Sequence, residues 1–181
     1  MESELDKRDP NISDSDFKFE REYNTFIIFH NIVTKSQMLP FFRFNSDEII
    51  QRLKFFRQAF IEEIPDLWEY FEEEEIDPRN YVYEWIMTLY TRALSLKLAK
   101  RVWDLYFLDG FSVLFTTALA ILKILKDKLL YAELEDIMQI LKDAQYSITD
   151  EKNFIIEIDT WASTFSGWRS KAFCAASLAL L

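Results

Sequence analysis

The chain has 181 residues, half of them hydrophobic, with 17 phenylalanines and a net charge of -10. That is enough apolar material for one domain with a substantial core. The acidic excess argues against nucleic acid as a partner, because phosphate binding needs clustered Lys and Arg, and against an anionic membrane surface.

Two glycines and four prolines leave little material for hairpin turns, so the expected fold is all-α. The same scarcity excludes a glycine-rich phosphate loop, and with it a Walker-type NTPase or a dinucleotide-binding enzyme. Cys174 is the only cysteine, which rules out an internal disulfide and a cysteine-based zinc site and fits a reducing, cytoplasmic compartment. His30 is the only histidine, so His-rich metal centres are excluded. With no such donors, neither a metal nor a cofactor is expected.

Residues 1–17 mix charge, serine and Pro10 without apolar periodicity, and read as a flexible lead-in with no signal peptide. Tyr23, Phe26, Ile27, His30 and Val33 then recur at helical spacing, predicting a first core helix over 19–38 that stops before Pro40, with His30 at the core edge. Phe41, Phe42 and Phe44 form an aromatic connection. Asn45-Ser46-Asp47-Glu48 supplies capping side chains for a helix whose stripe is Ile49, Leu53, Phe56, Phe60 and Ile64. Pro65 suits the first position of a further helix carrying Leu67, Trp68 and Phe71. The acidic run Glu72 to Glu75 reads as a solvated loop edge rather than a dock for a basic partner or a divalent-ion site, since successive helical side chains diverge and cannot converge on one ion. Asp77-Pro78 marks a turn.

The stretch from Tyr81 to Leu130 organises the rest. Tyr81, Val82, Trp85, Ile86 and Leu89 make one stripe; Leu98, Ala99, Val102, Trp103 and Tyr106 make a second, and Gly110 follows as a C-terminal cap. Ser112 to Leu125 is apolar on nearly every side, so that helix must be buried. The candidate membrane segment, Phe111 to Leu125, bounded by Asp109 and Lys123, is shorter than the roughly 20 apolar residues that a span requires. Further stripes follow at Leu134, Ile137, Met138 and Leu141, and at Phe154, Ile155, Ile158 and Trp161, the last with Thr149 as N-cap and Gly167 as stop.

Three pieces of this stretch carry a family likeness in their combined order: Trp85 to Tyr90, Leu96 to Asp104 with its Arg-x-Trp-Asp, and Gly110 ahead of Phe115 to Leu122. In them the sequence resembles the TBC domain of Rab GTPase-activating proteins, over roughly residues 20–141 and in the C-terminal half of that domain only. The resemblance implies a multi-helix orthogonal bundle around the buried central helix, occupying 18–146, with 147–181 as a helical extension.

Activity in that family rests on an Arg in an Ile-x-x-Asp-x-x-Arg pattern and a Gln in a Tyr-x-Gln pattern, which stabilise the transferred phosphoryl group and orient water. Neither pattern occurs here: Gln37, Gln51, Gln58, Gln139 and Gln145 all lack a tyrosine two positions earlier. No residue is therefore assigned as catalytic. The family-motif residues Trp85, Arg101, Trp103, Asp104 and Gly110 are assigned structural roles, with Arg101 and Asp104 as a local helix-surface pair.

The resemblance implies a Rab-family small GTPase as partner, in the context of a complete domain, and a location on the cytoplasmic side of endomembranes. This chain alone is expected to support GTPase docking without stimulating turnover; a non-catalytic adaptor module is the alternative. An exposed half-domain face predicts self-association.

Overall fold

The computed structural model describes residues 13–35 and 37–168; Cys174 and the rest of the C-terminal tail lie outside them. Nine α-helices occur among the described residues, and no strand. They are α1 (Asp14–Lys35), α2 (Leu39–Phe42), α3 (Ser46–Glu63), α4 (Pro65–Glu73), α5 (Arg79–Met87), α6 (Leu96–Asp109), α7 (Ser112–Leu129), α8 (Leu134–Lys142) and α9 (Glu151–Trp168), with a 3-10 turn at Ala144–Tyr146.

The centre is α7. Every residue from Val113 to Leu122 is buried, as the lack of a polar side in the sequence demands. Around it lie α9, α6 and α5, while α5 also touches α2 and α8. Burying a Leu or Ile side chain contributes on the order of 1.5–3 kcal/mol, so this one helix supplies a large share of the core.

The phenylalanine excess has a geometric use. Ring contacts run from Phe41 to Phe111 (5.8 Å) and Phe115 (5.3 Å), then to Phe56 (5.9 Å), Phe60 (6.0 Å) and Phe71 (5.8 Å). The path continues through Tyr81 (6.1 Å) and Trp85 (5.1 Å) to Tyr90 (6.0 Å). Tyr90 donates its hydroxyl to the Leu114 carbonyl of α7, so the aromatic path leaves α7 at Phe115 and returns to it one residue away. Separations near 6 Å with tilted or edge-on planes are the favoured geometry for aromatic pairs. This ring ties together α2, α3, α4, α5 and α7.

Local signals set the helix ends. Asn45 caps α3 by accepting from the Glu48 amide and donating to its carboxylate (2.7 Å). Pro65 opens α4. For α9 the cap is Asp150 rather than Thr149: its Oδ1 accepts from the Asn153 amide at 3.0 Å. Gly167 lies inside the last turn of α9, which runs on to Trp168. The first helix begins at Asp14, so the end of the expected lead-in is already helical.

The expected core role of α1 is overturned. The stripe on α1 is helical as read, but it is not core: Phe19 is 70% exposed, Phe26 62%, and Tyr23, Ile28 and Phe29 more than half. His30 is exposed too, its ring tilted against that of Phe26 on the same helix (6.1 Å). The helix meets the body mainly through α2 at its C-terminal end. Helical periodicity reports that a face is apolar; it does not report that the same chain covers it.

Candidate functional site

Of the family-motif residues, Trp85 and Trp103 meet at the corner between α5 and α6, whereas Arg101 and Asp104 lie on the outer side of α6 and Gly110 at its end. Trp85, on the inner face of α5, is 2% exposed and packs against Tyr81 and Tyr90. The helix ends at Met87, and Leu89 (φ 46°) and Tyr90 (φ 65°) both adopt left-handed backbone. Two successive non-glycine residues there carry strain of about 1–3 kcal/mol each, which surrounding contacts must offset. Leu89 therefore leaves the α5 stripe to which its spacing assigned it.

Three contacts hold the corner. Trp103, half-buried on α6, donates its indole N–H to the Leu89 carbonyl at 2.9 Å. The Tyr90 amide donates to the Trp85 carbonyl at 2.8 Å. The fully buried Tyr90 hydroxyl reaches Leu114, and burial pushes its phenol well above the usual range, keeping it a neutral donor. The two tryptophans of the motif thus brace one turn, Trp103 at Leu89 and Trp85 at Tyr90.

Arg101 lies on the exposed side of α6. Its guanidinium pairs with Asp104 (3.5 Å) and with Glu151 at the start of α9 (3.1 Å), and Lys97 reaches the same Glu151 at 2.6 Å. The Lys97 hydrogen bond, with Arg101 behind it, holds the Glu151 carboxyl below its ordinary value. Arg101 and Asp104 form the local pair that their spacing suggests, but the link to Glu151, fifty residues on, leaves no signal in the sequence. Gly110 ends α6 with φ 82° and ψ -161°, a conformation open essentially only to glycine. Its amide donates to the Tyr106 carbonyl at 2.8 Å.

What this arrangement offers is rigidity. The charged groups at the corner are already paired with one another, and no cluster of three or more His, Cys, Asp or Glu side chains suited to a metal occurs among the described residues. Among those residues, no helix is long and apolar enough to cross a membrane. Among the described residues, the aromatic face of α1 is the most extended run of exposed large hydrophobics on one helix.

Comparison with known proteins agrees with the motif. The Rab-GTPase-TBC domain family matches residues 17–130. TBC1 domain family member 12 of Xenopus tropicalis is 38% identical over 133 residues, covering 74% of this chain and 19% of the relative. TBC1 domain family member 14 of Homo sapiens is 38% identical over 104 residues, 58% of this chain and 15% of the relative. Drainin of Dictyostelium discoideum is 32% identical over 132 residues, 72% and 30% of the two chains. The chain thus aligns with only about a fifth of the first of these. A match that starts on α1 and runs through α7, taking in both tryptophans of the α5–α6 corner, establishes that the chain belongs to the RabGAP-TBC family.

Proposed function

We propose that this chain is the C-terminal part of a Rab GTPase-activating domain, where it braces the GTPase-docking surface while the two catalytic fingers come from sequence not contained in it. The observation that carries this reading is the aromatic face of α1, exposed on a helix that falls within the family match. A preceding half-domain would cover that face and gain the burial of several large side chains, about 1.5–3 kcal/mol for each one fully buried.

In this role the corner residues Trp85, Trp103 and Gly110 fix the angle between α5, α6 and α7, and the Arg101–Asp104–Glu151 cluster fastens α9 to α6. None of them contacts nucleotide. The partner is a Rab-family GTPase, met by the complete domain at the cytoplasmic face of an endomembrane. With the α1 face uncovered, the isolated chain self-associates through it.

The deciding experiment is GTP turnover by a panel of Rab proteins with and without the purified chain. No acceleration is expected from the chain alone, and acceleration when the same chain is part of the complete domain. Acceleration by the isolated chain would overturn the assignment of the fingers to other sequence, and binding without acceleration by the complete protein would make it an adaptor.

A further inference from the structure

At the junction of α1, α2 and α3 an open cleft of about 620 Å³ is lined by Gln37, Leu39, Arg43, Asn45, Glu48 and Arg52, with Pro40 behind. Acids outnumber bases by 31 to 21 in this chain. Arg52, Arg57, Arg79, Arg92 and Arg101 each reach a carboxylate, while Arg21 lies over the Phe17 ring. Arg43 is exposed and has no ion pair among the described residues. It sits at the end of α2, its amide bonded to the Leu39 carbonyl at 2.9 Å, so backbone geometry holds its base beside the cleft.

Arg52 is the second cation. Its side chain is 18% exposed, and Nη1 serves both the Glu48 carbonyl and the Glu48 carboxylate at 3.2 Å. Its Nε is buried and has no acceptor among the described residues. The partly exposed guanidinium is a planar fork suited to a carboxylate. With Glu48 already committed to Arg52 and to Asn45, the charged groups lining the cleft sum to about one positive charge in an acidic protein.

We propose that this cleft receives a glutamate or aspartate side chain from an acidic, apolar-flanked segment of a protein partner, with Arg43 as the main contact and Arg52 as the second. Leu39 and Pro40 give the flanking apolar residues a wall. A monoanionic carboxylate suits the cleft better than a phosphate, because Glu48 on its rim repels the higher charge. An anionic bilayer is a poorer occupant still, since a plane of negative charge would also face the surrounding acids within a Debye length of about 8 Å.

The test uses the whole 181-residue chain with isotope-labelled arginine and three probes: the blocked peptide acetyl-Leu-Glu-Leu-amide, its glutamine counterpart, and inorganic phosphate. Saturable shifts of the Arg43 and Arg52 Nε–H signals are expected with the glutamate peptide, with affinity about tenfold weaker for the glutamine peptide and for the Arg43→Gln variant. Arg43 is exposed, so Arg43→Gln should leave the melting temperature unchanged and report on binding alone. No saturable shift, equal response to the glutamine peptide or to phosphate, unchanged affinity in Arg43→Gln, or Arg43-dependent binding to phosphatidylserine vesicles would each overturn the proposal.

Discussion

The indole N–H of Trp103 and the carbonyl of Leu89 meet at 2.9 Å, joining the middle of α6 to a left-handed turn fourteen residues earlier. This bond accounts for a tryptophan at the third position of the Arg-x-Trp-Asp motif: phenylalanine could fill much of the space but has no donor.

Trp103→Phe should therefore destabilise the chain by about 1–3 kcal/mol, because a half-buried carbonyl in a strained turn loses its partner. Urea unfolding of wild type and variant reads this directly as a lower midpoint with an unchanged slope. An unchanged midpoint would remove Trp103 from the account of the corner.

Gly110→Ala tests backbone conformation without packing. A Cβ built at Gly110 would meet no atom within 4 Å, so the only penalty is the φ of 82°. The expected loss is about 1–3 kcal/mol, with the near-ultraviolet signals of the core tryptophans unchanged.

Two phenylalanines separate covered from uncovered aromatic surface. Phe56, fully buried in the ring network, should cost about 3–5 kcal/mol as Phe56→Ala. Phe26→Ser on α1 should change stability by no more than about 0.5 kcal/mol while reducing self-association in sedimentation velocity. Equal destabilisation by the two would place α1 in the core after all.

Glu151 gives the acid limb of stability a defined sign. Its folded carboxyl lies below the ordinary value because Lys97 and Arg101 favour the charged form. The stabilisation is therefore complete above the unfolded Glu value, about 4.3, and is lost as pH falls through the lower folded value. Glu151→Gln should lower stability at neutral pH and flatten the acid limb, read as melting temperature against pH.

Much of the fold was legible before any coordinates. The continuous apolar run of Ser112 to Leu125 can only be a buried helix, and most of the stripes of α3, α5, α6, α8 and α9 follow from spacing, as does the cap at Asn45; Leu89, beyond the end of α5, and the exposed Leu134 of α8 are exceptions. The TBC likeness was legible because its tryptophans, glycine and apolar run keep their order along the chain. Thr149 and Asp150 both carry oxygens suited to capping α9, and only backbone position selects Asp150.

The sequence by itself determined which segments coil and which faces are apolar, since helix formation and side-chain periodicity are local properties of the chain. Which faces find a partner was decided only in three dimensions. The α1 stripe and the α7 run are both rich in apolar residues, yet one is open to solvent and the other sealed, because burial depends on what else arrives at that place. The pairings of Trp103 with Leu89, Tyr90 with Leu114 and Arg101 with Glu151 likewise join residues far apart in the chain, and hydrogen bonds of that range exist only once the helices have been packed.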